Sequence, residues 1–345
     1  MVQLYDNLEI ERLEQLLNAF KNIRVLLVGD ICLDVYWEAD MTLSELSRET
    51  PHFPLPVIDE RMSGGAGANV AANFAALGVK ALDVVSIIGR DWRANELKRI
   101  FDRNGISPLH ILGSSEWTTP AYCKPRRHGI SEVVYEDPRI DFENRVPLSC
   151  EMQEVVFQEF IKAAPYADVI AVADQLKYGV ITDAIIEELG CLARDGKKIV
   201  VDSRTRIGRY KNVIAKPNEV EAIKAVKPEL DPRQCNKNEC YDAALSLAES
   251  INGPVIMTIG DKGAIWADNG GIIEIPTAPV PPPIDIVGAG DAFMAAFCAA
   301  LAAGASGPEA AAIANLAASV TVKKLGTTGS ASPEEIIRRY EEVYE

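Results

Sequence analysis

Asp285-Ile286-Val287-Gly288-Ala289-Gly290-Asp291-Ala292-Phe293 is the stretch whose reading decides this chain. Two glycines flanking an alanine let the backbone turn tightly and present several N–H groups to one point. The apolar run that follows, Phe293 to Ala303, reads as a helix. The turn therefore lies at a helix N-terminus, where the macrodipole also favours negative charge. Asp291 faces that anion-binding hole, and a base beside a cradle for developing phosphate charge is what phosphoryl transfer to a hydroxyl requires. The same residues also read as a plain glycine turn with Asp291 in the first helical turn, and a short motif by itself does not choose between the two.

Outward from this turn, the chain alternates strand-like and helix-like segments. Arg24–Asp30 is an apolar run closed by Gly-Asp, the signature of a buried parallel strand. Similar runs are Asp83–Ile88, Val169–Ala173, Lys198–Asp202, Val213–Ala215 and Pro254–Ile259. Helical patterns stand between them at Ala68–Leu77, Trp92–Asn104, Glu151–Ala163, Thr182–Asp195, Val220–Val226 and Tyr241–Ser250. This order predicts an α/β fold, a three-layer doubly wound sheet with helices on both faces, and one domain over 1–345. Residues 35–62 and 117–145 break the alternation with short β-like pieces: Val35–Trp37, Leu55–Arg61, Ala121–Arg127 and Glu132–Glu136. They are expected to form a small β flap over the carboxyl ends of the core strands, where open α/β sheets bind ligands. A decorated loop region serving as a dimer contact is the other reading, and the two are compatible.

The 345 residues are 48% hydrophobic and 25% charged, as in ordinary globular proteins. The net charge of −15 argues against a general nucleic-acid or anionic-membrane partner, while leaving room for a local phosphate site. Seven cysteines are scattered, and only Cys235 and Cys240 are near neighbours, so reduced thiols in a cytoplasmic protein are expected rather than a zinc site. The N-terminus reads as a helix over Leu8–Phe20, not a signal peptide, and no apolar run reaches membrane-spanning length.

Further motifs sit at strand ends. Ser63-Gly64-Gly65-Ala66-Gly67-Ala68-Asn69 joins the first flap region to a helix; its glycines permit close ligand approach and Asn69 can bond hydroxyls, although a packed helix start has the same look. Asp30 and Asp34 follow the first core strand and could hold sugar hydroxyls or cap a turn. Lys216-Pro217-Asn218-Glu219-Val220-Glu221 has capping-box spacing, which also places oxygens where water-bound Mg²⁺ could sit. Thr258 to Gly263 is a strand–glycine turn fit to line a nucleotide. There is no GxxxxGK[ST], and no GxGxxG after the first strand. His52, His110 and His128 stand apart, and the basic clusters Lys124-Arg126-Arg127 and Arg204-Arg206-Arg209-Lys211 read as phosphate clamps or solvated faces.

In this order the motifs resemble the ribokinase (PfkB-like) carbohydrate kinases over nearly the whole chain. Residues 64–78 resemble that family's N-terminal signature and 285–293 its C-terminal one. The resemblance implies a ribokinase-like fold and a kinase using ATP and Mg²⁺ on a sugar or sugar phosphate. It implies Asp291 as catalytic base and Gly288, Ala289 and Gly290 as the anion hole. By the same likeness Asp34, Gly64, Gly65 and Asn69 contact sugar, Asn218 and Glu221 place Mg²⁺ and phosphate (Glu221 holding the metal through water), and Gly260, Gly263 and Asn315 border ATP. Asp285 and the loop from Gly326 to Ser330 imply a monovalent-cation site, such as K⁺. Separately, a homodimer through the flap is expected. Within the family, residues 29–37, 47–57, 209–218 and 322–335 are similar to the heptose-phosphate kinases of ADP-heptose synthesis. The chain departs from that branch at Gly67, at Ile286-Val287 where Thr-Thr is usual, and at Asp202-Ser203-Arg204 where Asp-Pro-Lys is usual. A following nucleotidyltransferase half is not expected, since no HxGH occurs before Glu345. Kinases of nucleosides or other alcohols, and a catalytically silent sugar- or nucleotide-binding regulator, are the alternatives.

Overall fold

The computed structural model describes residues 2–131, 133–326 and 328–344. In chain order the strands are β1 (Val2–Leu4), β2 (Arg24–Gly29), β3 (Ile31–Asp40), β4 (Val57–Ala66), β5 (Ala81–Ile88), β6 (Ile111–Gly113), β7 (Ala121–His128) and β8 (Tyr135–Glu136). They continue with β9 (Ile140–Phe142), β10 (Val169–Asp174), β11 (Lys198–Ser203), β12 (Ile214–Ala215), β13 (Val255–Thr258), β14 (Ala264–Asp268) and β15 (Gly271–Ile275). The helices are α1 (Ile10–Ala19), α2 (Gly67–Ala76), α3 (Trp92–Arg103), α4 (Cys150–Ala163), α5 (Asp183–Arg194), α6 (Glu219–Val226), α7 (Lys237–Ile251), α8 (Ala289–Ala302), α9 (Gly307–Thr321) and α10 (Pro333–Tyr344).

Ten strands form the central sheet in the order β1-β15-β14-β13-β12-β11-β10-β2-β5-β6. Its pairings are parallel except those of β14, which runs against both its neighbours. Side-chain alternation splits each strand between two cores. Val25 and Leu27 of β2 join α1, α2, α8 and α9 on one face, while Leu26 and Val28 join α4, α5 and α7 on the other. Burial on both faces is why these strands are continuous apolar runs, and it gives the expected three layers.

The second sheet has the order β4-β3-β7-β8, with β9 also on β7. Here one face is apolar: Leu33, Val35, Ala121 and Cys123 continue the core beneath. The other face carries Asp34, Tyr36, Glu38 and Asp40 of β3, in register with Tyr122, Lys124, Arg126 and His128 of β7. This is the flap, and it is longer than its expected bounds. Only Asp30 separates β2 from β3, and β4 runs to Ala66, so Ser63-Gly64-Gly65 is the end of a strand paired with Leu33 and Asp34 rather than a turn. The expected segment beginning at Glu132 is β8 at Tyr135–Glu136; Glu132 itself lies outside the described residues.

The β14–β15 hairpin, the edge strand β1 and helices α9 and α10 add to the expected elements. Buried residues occur around most of α9, so its alanine-rich sequence shows no apolar stripe to mark it as a helix. Among the described residues no helix is long and apolar enough to cross a membrane.

Candidate active site

The turn before α8 has the shape its glycines foretell. Gly288 caps the helix at φ +85°, a left-handed conformation, and an added Cβ there would sit 2.8 Å from the Asn69 amide nitrogen. The amides of Ala289 and Asp291 bond back to Ile286 (3.2 Å) and Gly288 (3.1 Å). Those of Gly288 and Gly290 have no acceptor among the described contacts, so they are the donors free to meet an anion at this helix end.

Among the described residues the Asp291 carboxylate receives one side-chain hydrogen bond, from Asn69 Nδ2 to Oδ2 at 2.7 Å. Asn69 is buried and is held in turn by Asn73, whose Nδ2 donates to the Asn69 carbonyl at 2.9 Å. The bend that aims Asn69 is tight: Ala66 caps α2 with φ +49°, and a Cβ on Gly67 would lie 2.6 Å from the Asp30 carbonyl oxygen. Burial pushes the Asp291 carboxyl up to about 7; the nearby charges of Asp202 and Asp34 push the same way, and Asn69 and Lys216 oppose them. A carboxyl titrating there suits a general base at neutral pH.

Lys216 and Asp202 join the site without having been singled out for it from sequence. Lys216 is 4% exposed and its ammonium lies 2.9 Å from Asp202 Oδ2. Burial alone would lower its pKa, but Asp202 and Glu221 outweigh that and hold it above the ordinary value, with Asp291 contributing. Asp202 also accepts from Gln175 Nε2 at 3.2 Å, and Asp202, Asp291 and Gln175 border one narrow space. The signal for both residues was position: each stands at the carboxyl end of a buried parallel strand.

Asn218 and Glu221 form the full capping box of α6, each donating its amide to the other's side chain at 2.9 Å. Burial raises the Glu221 carboxyl and Asp202 adds to it, against Lys216. Glu221 commits Oε2 to the cap, leaving Oε1 for another partner. That fits Mg²⁺, which keeps several of its waters and needs one or two carboxylates beside phosphate oxygens.

On the flap, Asp34 is buried and lies 3.3 Å from the Lys124 ammonium, which also donates to Tyr36 Oη at 3.0 Å. Burial raises Asp34 while Lys124 opposes. Gly65 on the neighbouring strand lies against this carboxylate, an added Cβ there falling 2.8 Å from Asp34 Oδ1, whereas Gly64 packs on Ala68. Asp30, the other acid offered for sugar hydroxyls, is consumed by structure: its carboxylate accepts the amides of Gln175, Leu176 and Val180 at 2.9, 2.8 and 2.7 Å. Further out, Glu38 is met by Arg61, Arg126 and His128, and Arg61 also bonds the Gly326 carbonyl.

Gly263 and Asn315 meet at the end of β15, and Gly260 begins the short turn that leads into Gly263. A Cβ on Gly263 would overlap the Ile275 carbonyl, and Asn315 Nδ2 donates to the carbonyls of Ile275 (3.1 Å) and Pro276 (3.3 Å). Beside them opens a cavity of about 500 Å³ bordered by Glu219, Ile259, Lys262, Lys237 and Pro276. Asp285 accepts the amides of Val287 (3.0 Å) and Gly326 (3.1 Å), tying the turn to the loop at 326–330; within that loop Thr327 lies outside the described residues.

Residues 33–335 match the pfkB family carbohydrate kinases, a span holding both the Asn69 helix and the Asp291 turn. The chain belongs to the pfkB family of carbohydrate kinases. It is thus a phosphotransferase acting on an alcohol group. It is similar to the bifunctional protein HldE of Geotalea uraniireducens, with 32% identity over 340 residues covering 96% of this chain and 65% of that protein. The HldE protein of Geobacter metallireducens is 29% identical over 96% of this chain and 65% of its own length. The chain therefore spans just under two thirds of these relatives. Among solved structures, Arabidopsis thaliana ribokinase complexed with ribose and ATP superposes with TM-score 0.69 at 19% identity, covering 92% of this chain and 98% of that one. Escherichia coli phosphofructokinase-2 in complex with substrates and products gives 0.72 at 18% identity, covering 94% and 100%. These two show a ribokinase-like fold.

Proposed function

We propose that this pfkB-family kinase transfers the γ-phosphate of ATP to a hydroxyl of a sugar or sugar phosphate, with a heptose phosphate as the leading acceptor, and that residues 1–345 act as one catalytic unit with its flap. The observation that carries the reading is Asp291, an acid titrating near neutrality, oriented by Asn69 beside a left-handed glycine cap. Asp291 accepts the acceptor hydroxyl's proton as that oxygen attacks phosphorus. The amides of Gly288 and Gly290, the dipole of α8 and the Lys216 ammonium offset negative charge on the transferring group. Asn69 holds the carboxylate in place to take that proton. Asp34, with Gly65 beside it and Gly64 next along the strand, binds sugar hydroxyls, and the flap excludes water.

The turn with Gly260 and Gly263, together with Asn315 and the 500 Å³ cavity, takes the nucleotide. Mg²⁺ beside Asn218 and Glu221 would neutralise phosphate charge when bound. K⁺ near Asp285 is a further proposal, motivated by the contact between this carboxylate and the 326 loop; E. coli phosphofructokinase-2, a structural neighbour, has been solved in complex with potassium. The heptose reading rests on the sequence likeness to HldE. A cytoplasmic homodimer through the flap is supported by exposed Leu43, Leu46, Phe53, Val57 and Ile58 on or beside β4, and light scattering that shows only monomer would sink it.

The test is ATP consumption across a panel of heptose 7-phosphate, fructose 6-phosphate, mannose, ribose and adenosine. Turnover on a sugar or sugar phosphate is expected. Turnover on adenosine alone, or on none, would overturn the reading.

A further inference from the structure

An asparagine amide has two orientations of nearly equal shape, one presenting its NH₂ and the other its oxygen, and its hydrogen-bond partners choose between them. For Asn69 that choice bears on the chemistry. With Nδ2 toward Asp291 the amide donates to the ionised carboxylate, at 2.7 Å. With Oδ1 there it could only accept, from a protonated carboxyl. The two orientations thus favour the two protonation states of one acid, and whatever fixes the amide also biases the acid.

The group that breaks the tie is Asn73, one turn further along α2 and as deeply buried as Asn69. Its Nδ2 donates to the Asn69 carbonyl at 2.9 Å and reaches Asn69 Oδ1 in a longer contact of 3.4 Å. The first bond anchors the Asn73 side chain, and the second holds Oδ1 away from Asp291. Turning the Asn69 amide over would set Nδ2 against Nδ2, two donors facing each other in a buried site, with neither satisfied. The amide is also closed in from α8: a Cβ on Gly288 would lie 2.8 Å from Asn69 Nδ2.

We propose that Asn73 is a positioning residue for the phosphoryl transfer: it locks the Asn69 amide with its NH₂ toward Asp291, and so keeps that carboxylate in the form that takes a proton. The proposal rests on the reading of Asp291 as the base and adds a residue that acts on it through Asn69. Burial raises the Asp291 carboxyl, and Asp202 at the end of β11, Lys216 beyond β12 and Asp34 on β3 act on it as well. Asn73 carries no charge, so replacing it with an apolar residue leaves those charges in place. Without Asn73, the turned-over amide becomes available whenever Asp291 is protonated. The protonated carboxyl then gains an acceptor, and its proton is bound more tightly.

Carboxyl titration by ¹³C NMR on the full chain tests this without relying on turnover. In protein labelled at the aspartate carboxyls, the Asp291 signal is assigned by its loss in Asp291→Asn. Asn73→Leu should bind the Asp291 proton about 3- to 10-fold more tightly than wild type, and Asn73→Ala, which introduces no bulk, should move it in the same direction. In an Asn69→Ala background, adding Asn73→Leu should change nothing further, because the amide through which Asn73 acts is gone. In the rate, the kcat/KM inflection of Asn73→Leu should move to higher pH by the same factor, with the loss of activity largest on the acid side. An Asp291 titration unchanged in both Asn73 variants, or a shift of the same size with Asn69 already removed, would overturn the proposal. A shifted titration with a flat rate profile breaks the reading of Asp291 as base and leaves the role of Asn73 in fixing the amide standing. An unshifted titration with a normal rate inflection does the reverse.

Discussion

Asp30 and Asp34 lie four residues apart, on either side of the junction between the central sheet and the flap, and they have opposite fates. Asp30, at the end of β2, gives its carboxylate to three backbone amides and locks the segment after β10. Asp34, on β3, meets a single ammonium and keeps acceptor capacity toward the cleft. The same contrast runs through both regions. The central sheet holds the phosphoryl chemistry on strand ends and helix starts whose polar groups are tightly networked, such as Lys216 with Asp202 and Asn218 with Glu221. The flap presents a polar face on one side of a two-sided sheet. Central-sheet groups should therefore govern kcat, and flap groups KM.

The sharpest break in that comparison would come from Asp291. Asp291→Asn should lower kcat about 10²- to 10⁴-fold while nucleotide affinity stays close to wild type. The same variant should be the more stable protein at pH 8 by thermal unfolding. The folded-state pKa is raised to about 7, so its contribution to stability is full in acid and is lost as pH rises through that value; asparagine removes the loss. Next, Lys216→Met keeps the side-chain volume but removes the buried ammonium, and kcat should fall about 10²-fold with a smaller change in acceptor KM. On the flap, Asp34→Asn should raise acceptor KM about 10-fold and leave kcat within a few-fold. If Asp34→Asn lowered kcat as much as Lys216→Met, the division between the regions would fail.

Much of the central sheet was legible because strands buried on both faces are written as apolar runs with glycine or aspartate at the end. The flap was legible as an interruption, but not in extent. Ile31–Leu33 follow β2 after one residue, and nothing local marks that the chain changes sheets there. The Asp291 turn was legible because its chemistry is local: a left-handed glycine and a helix start. Lys216 was not, since its role comes from a carboxylate on another strand and from burial, neither of which a Lys-Pro-Asn triplet displays. Arg204 and Arg206 read alike as members of one basic cluster; the use of Arg206 by Asp174 is a tertiary fact.

The pH dependence of kcat/KM for the acceptor, at saturating ATP, tests the central claim most directly. With Asp291 as the base, kcat/KM should climb as pH rises through about 7, level off above it, and lose that inflection in the residual activity of Asp291→Asn. A flat profile from about pH 5.5 to 8.5, or the same inflection in Asp291→Asn, would contradict the assignment.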